Sequence, residues 1–61
     1  MKNINQIIES HYNVGRPVTD EEVIHELVNL RRKEEKGNLD DVQERLVSEL
    51  KTRGMFSRKG N

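Results

Sequence analysis

The sequence predicts a small all-α domain of three helices, near residues 4–13, 20–36 and 39–53. Apolar residues recur at helical spacing in three segments, each of which begins at a capping residue and is followed by a glycine. No segment of useful length shows the alternation of apolar and polar residues that is typical of a half-buried strand. We therefore expect residues 1–56 to form a single helical domain and residues 57–61 to form a basic flexible tail.

The first helix is predicted to begin after Asn3, a good N-cap residue, with Gln6 placed to complete a capping box. Gly15 permits a left-handed turn and Pro17 favours an extended residue before it, so the helix must end before this point. The apolar stripe of this helix comprises Ile4, Ile7, Ile8 and Tyr12.

The second helix has the clearest start, because Thr19 and Glu22 form a Thr-x-x-Glu capping box. Gly37 marks its end. Ile24 and Val28 widen its apolar face beyond an ordinary amphipathic stripe. The face expected to meet the core comprises Val23, Leu27 and Leu30.

The third helix is predicted to be capped by Asn38 and to end at Gly54. A Schellman ending at this glycine would fold Met55 and Phe56 back onto the core. Val47 lies at the margin of the apolar stripe. The stripe itself is predicted to comprise Leu39, Val42, Leu46 and Leu50.

The small apolar content of the chain favours self-association. Only 31% of the 61 residues are hydrophobic, and there is no cysteine to supply disulfides or thiolate metal ligands. A second copy or a larger protein would then supply the missing burial. The absence of cysteine, of an apolar leader at the start of the chain and of a long apolar run predicts a soluble, cytoplasmic protein without membrane partners.

The sequence contains no recognisable catalytic or metal-binding motif. His11 and His25 are fourteen residues apart, on different predicted helices, and two isolated imidazoles are fewer ligands than a metal site needs. We expect His11 to flank the core and His25 to be solvated. There is no Gly-rich phosphate loop, and the predicted core is too small for a substrate pocket. We therefore expect a non-enzymatic protein with no cofactor, no metal and no small-molecule substrate.

One hypothesis for the function is DNA binding. A helix, the turn "GRPVT-EE", a second helix and a third helix ending "LVSELKTRGMFSRK" together resemble winged helix-turn-helix regulators, in which a third helix ending at glycine leads into a basic wing. The second helix is longer than in that family, and too few residues follow Phe56 for a pair of strands. Acidic residues in the first half of the third helix would also repel phosphates. The residues that could contact nucleic acid are Arg45, Lys51, Arg53, Arg58 and Lys59.

The other hypothesis is protein interaction: a regulator, adaptor or inhibitor that docks a helix face on itself or on a larger protein. The net charge is zero, but residues 1–30 carry two basic and five acidic side chains, whereas residues 31–61 carry nine and six. Such polarity can steer a partner or let two copies meet head to tail. Ile24, Val28 and Val47 are the predicted interface residues, unless all three are buried inside a monomer.

Overall fold

Three α-helices follow one another in the computed structural model, which describes residues 3–56. They are α1 (Ile4–Tyr12), α2 (Asp20–Lys36) and α3 (Asp41–Thr52), and residues 3–56 contain no strand. Helix α1 packs against both of the others. The predicted three-helix, all-α fold is therefore confirmed. The predicted tail, residues 57–61, lies outside the described residues.

Both capping boxes predicted for α1 and α2 are present. The Asn3 side chain accepts a hydrogen bond from the Gln6 N–H at 2.9 Å, and the Gln6 side chain accepts one from the Asn3 N–H at 3.1 Å. Thr19 and Glu22 exchange the same pair of bonds, at 3.2 and 3.1 Å. Each box satisfies N–H groups that have no partner inside the helix, which fixes where the helix begins.

The prediction that Asn38 caps α3 was wrong. Asp40 is the N-cap: its side chain accepts from the Gln43 N–H at 2.8 Å, and the Gln43 side chain accepts from the Asp40 N–H at 3.1 Å. The Asn38 N–H instead donates to the carbonyl of Lys33 at 2.8 Å and helps to end α2. Since Asn38 belongs to the preceding helix ending, the third helix begins two residues later than predicted.

The predicted Schellman ending of α3 is confirmed. Gly54 has φ +73°, its N–H donates to the carbonyl of Lys51 at 3.1 Å, and the Met55 N–H donates to the carbonyl of Leu50 at 2.8 Å. This reversal brings Met55 into partial burial against the core and leaves Phe56 only 6% exposed. The segment after Gly54 therefore closes one end of the helical domain.

The core is built from all three helices, from the connection before α2 and from the segment after α3. The apolar stripe of α3 differs from the prediction at its two margins. Val42, predicted to be buried, is 40% exposed, whereas Val47 is 3% exposed and packs inside. The buried apolar residues are Ile7, Ile8, Val18, Val23, Leu30, Leu46, Val47, Leu50 and Phe56.

Polar side chains of α1 hold the connection that leads into α2. The Asn5 side-chain amide donates to the carbonyl of Val18 at 2.7 Å and to the carboxylate of Asp20 at 3.1 Å. The Glu9 carboxylate accepts from the Val18 N–H at 2.9 Å. With both backbone groups of Val18 bonded to α1, its side chain is placed in the core and the start of α2 is positioned against α1.

Candidate interaction surface

Two neighbouring apolar side chains on α2 face away from the core. Ile24 is 62% exposed and Val28 is 44% exposed, and they lie one helical turn apart on the same face. We call this pair the α2 patch. On the same helix, Val23 and Leu30 are buried with 7% and 0% exposed, so α2 presents apolar residues both to the core and to its surroundings.

The third predicted interface residue is not part of this surface. Val47 is a core residue, with Leu46 and Leu50 beside it on the buried face of α3. Val42 is exposed instead, on the first turn of α3, where the sequence pattern had predicted burial. Single exposed apolar residues such as Val42 are normal on protein surfaces, whereas contiguous apolar surface can mark an interaction site. The candidate surface is therefore confined to α2.

Charged residues lie at both ends of the α2 patch. Asp20 and Glu21 are exposed in the first turn of α2, and Arg31 and Arg32 are exposed after the patch. Asp20 accepts the bond from Asn5, and the Arg31 guanidinium lies 5.7 Å from the centre of the Phe56 ring.

Glu21 and Arg32 differ from their neighbours, because they form no ion pair or side-chain hydrogen bond within the described segment, residues 3–56. Their charges are exposed to solvent and can therefore be used by a binding partner. The prediction of an interface on α2 did not include these residues. The sequence signal that could have identified them is their spacing: Glu21 lies about one helical turn before Ile24, and Arg32 lies about one turn after Val28.

Two of the basic residues predicted to contact nucleic acid are already engaged with acids. Lys51 forms an ion pair with Glu34 of α2, and the Arg53 Nε donates to Glu49 Oε2 at 2.9 Å. Arg45 is exposed and forms no ion pair with the residues between 3 and 56. The last two predicted contacts, Arg58 and Lys59, lie outside the described residues.

Half-buried polar pairs join α1 to the other helices. The His11 Nε2 lies 2.7 Å from Glu49 Oε1 of α3, and the pKa of Glu49 is lowered chiefly by this hydrogen bond and then by Arg53. The Tyr12 hydroxyl donates to the Glu26 carboxylate of α2. Burial, followed by the hydrogen bond to Glu26, raises the pKa of Tyr12 well above its usual value. These pairs orient the helices.

The described segment contains neither a cluster of metal-ligating residues nor a cavity. No group of three or more His, Asp or Glu residues lies close enough to hold a metal ion, and no cavity is found among residues 3–56. None of the three helices described is both long and apolar enough to cross a membrane. His11 flanks the core and His25 is exposed, as predicted from the sequence.

Comparison with known proteins does not add a functional assignment. No protein-family model, no curated protein and no solved structure matches this chain. The α2 patch and the charges beside it are therefore the features of the molecule that bear on its function.

Proposed function

We propose that this chain is a small, non-enzymatic helical interaction protein that acts as a regulator, adaptor or inhibitor. It docks through the α2 patch, on itself or on a larger protein. The observation that carries the proposal is the exposure of Ile24 and Val28, at 62% and 44%, side by side on one helix. Docking would remove this apolar surface from water, which stabilises a complex by about 25 cal/mol for each Å² buried.

The remainder of α2 also suits a docking role. Val23 and Leu30 anchor the helix in the core, so the outer face is held in a fixed orientation before a partner arrives. A preformed helix loses less conformational entropy on binding than a segment that must fold first. Helix faces with apolar anchors at i and i+4 are a common mode of recognition between proteins.

Site-specific photo-crosslinking tests this function directly. A photoreactive side chain in place of Val28 is expected to form covalent adducts in the cells that produce the chain. The same group in place of Ser48, which is exposed on α3, serves as the matched control and should give none. The purified adduct partner should bind the wild-type chain and lose binding to Val28→Glu. Equal adducts from both positions, or none from either, would contradict the proposed function.

DNA binding is the second candidate function, and the observation in its favour is Arg45, which is exposed and has no ion pair among residues 3–56. The ion pairs of Lys51 with Glu34 and of Arg53 with Glu49 reduce the positive charge that this candidate requires. Retention on heparin or duplex DNA at increasing salt separates the two candidates, because phosphate contacts weaken steeply with salt. A DNA-binding function predicts salt-dependent retention that Arg45→Gln reduces, whereas protein docking predicts elution at low salt for both chains.

A further inference from the structure

The residues along the outer face of α2 have a self-complementary order. An acidic pair, Asp20 and Glu21, comes first, the α2 patch follows, and a basic pair, Arg31 and Arg32, comes last. We propose, on the basis of the function proposed above, that a second copy of this chain covers the α2 patch. The two α2 helices run antiparallel about a two-fold axis at the level of Glu26.

The spacing along the helix supports an antiparallel pair. Ile24 and Val28 lie two residues before and after position 26, or about 3 Å along the axis on either side. Glu21 and Arg32 lie five and six residues from it, or about 8 and 9 Å. Turning one helix end for end therefore places Ile24 against Val28 of the second copy and the acidic pair against the basic pair.

The angular positions around the helix support the same arrangement. At about 100° per residue, Glu21 and Arg32 lie roughly 40° and 60° to one side of the midline of the α2 patch. Asp20 and Arg31 lie about 60° and 40° to the other side. A two-fold axis perpendicular to both helices keeps each side of one copy against the same side of the other. Glu21 therefore faces Arg32 of the second copy, on the side where neither has another ionic partner in residues 3–56.

A second copy fits this face better than a partner of uniform charge. An acidic surface would attract Arg31 and Arg32 but repel Asp20 and Glu21, and a basic surface would do the reverse. A parallel pair of copies would place acid against acid and base against base. Of these arrangements, the antiparallel pair of copies alone places an acid against a base at both ends of the α2 patch, and its two halves are equivalent, as a two-fold interface requires.

The proposed dimer is weak because its apolar centre is small. Two exposed apolar side chains from each copy, Ile24 and Val28, form the centre of the interface. Stable protein–protein interfaces bury about 800 Å² on each partner, which is more than a single helix face of this kind provides. Association is therefore measured from about 10 µM to about 1 mM, where a weak equilibrium can be followed.

Charge reversal at Glu21 and Arg32 tests the arrangement by sedimentation equilibrium of the full chain. Either reversal alone, Glu21→Arg or Arg32→Glu, creates two repulsive pairs in a dimer and should raise the dissociation constant on the order of tenfold. An equimolar mixture of the two single variants should associate like the wild type, because in each heterodimer the two basic side chains of one variant face the two acidic side chains of the other. The double variant should also recover, because each of its two pairs again joins an acid to a base.

Two controls separate specific pairing from loss of folding. Glu44→Arg reverses an exposed acid in the first turn of α3, away from the α2 patch, and should leave the association unchanged. Circular dichroism of every variant confirms that the helices remain. The wild-type mass should rise from 7.2 kDa toward twice that value with concentration.

The proposal is overturned if the wild type stays at 7.2 kDa throughout the concentration range. It is also overturned if the single reversals match Glu44→Arg, or if neither the mixture nor the double variant recovers association. If the wild type is monomeric and position 28 still crosslinks to a different protein, a second copy is not the partner and the proposed function is retained. If the wild type is monomeric and no such crosslink forms, both the dimer and the proposed function are rejected.

Discussion

Replacing each of two valines on α3 by alanine measures which side of that helix faces the core. Val47 is 3% exposed and Val42 is 40% exposed, although the sequence pattern favours the opposite order. The two positions share one helix and the same substitution, so each serves as the control for the other. The better helix propensity of alanine, about 0.5 kcal/mol, applies equally to both.

The expected difference follows from burial. Removing two methyl groups from a buried valine loses about 1.6 kcal/mol of transfer free energy, to which the residual cavity adds up to about 1 kcal/mol. After the gain in propensity, Val47→Ala should lower the free energy of unfolding by about 2 kcal/mol. With 40% of Val42 already exposed, Val42→Ala should lower it by about 0.5 kcal/mol.

Urea denaturation followed by circular dichroism at 222 nm gives both free energies at one protein concentration. A difference of about 1.5 kcal/mol also corresponds to melting temperatures that differ by roughly 6 to 12 °C in a domain of this size. An osmolyte such as trimethylamine N-oxide restores a folded baseline if Val47→Ala is too unstable without it. If Val42→Ala were as destabilising as Val47→Ala, the described packing of α3 would be wrong.

Three further predictions concern a cap, an ion pair and a helix ending. Asp40→Ala should lower the free energy of unfolding by about 1 kcal/mol in urea denaturation, whereas Asn38→Ala should change it little; equal effects would reject Asp40 as the N-cap. The hydrogen bond from Arg16, followed by that from the Thr19 backbone, holds the pKa of Glu22 at about 2, below the usual 4.5. Because this pKa is lowered, the ion pair of Glu22 with Arg16 contributes fully to stability above pH 4.5, and this contribution is lost as the pH falls toward 2. Arg16→Gln should therefore reduce the loss of stability at acidic pH. An unchanged dependence of the melting temperature on pH would contradict the ion pair. Gly54→Ala should lower the melting temperature by an amount that corresponds to about 1 kcal/mol, because φ is +73° at this residue, and no change would contradict a left-handed ending.

The helices were predictable because their end signals are local. Thr19 and Glu22 specify the start of α2 through their own side chains, and Gly54 specifies the end of α3 through its backbone freedom. The start of α3 was harder to predict, because Asn38 and Asp40 are both good N-cap residues. The Asn38 N–H helps to end α2, and Asp40 is the N-cap of α3. Gln43, three residues after Asp40, is the sequence signal that identifies the correct cap.

The buried face of α3 could not be determined from periodicity alone. At about 100° per residue, Val42 and Val47 lie roughly 60° and 80° from the midpoint between Leu46 and Leu50, on opposite sides. Which valine is covered depends on where α1 and α2 pack, and this is a property of the tertiary structure. Periodicity was also insufficient to define the candidate surface. It identified Ile24 and Val28, which are exposed, but it grouped the buried Val47 with them.

The concentration dependence of thermal unfolding tests the central claim, that a second copy covers the α2 patch and stabilises this small domain. Circular dichroism melts of the wild type at about 10 µM and about 1 mM should give a higher melting temperature at the higher concentration, because association stabilises the folded state by mass action. Val28→Glu should melt at one temperature at both concentrations. A wild type whose melting temperature is also independent of concentration would contradict the account.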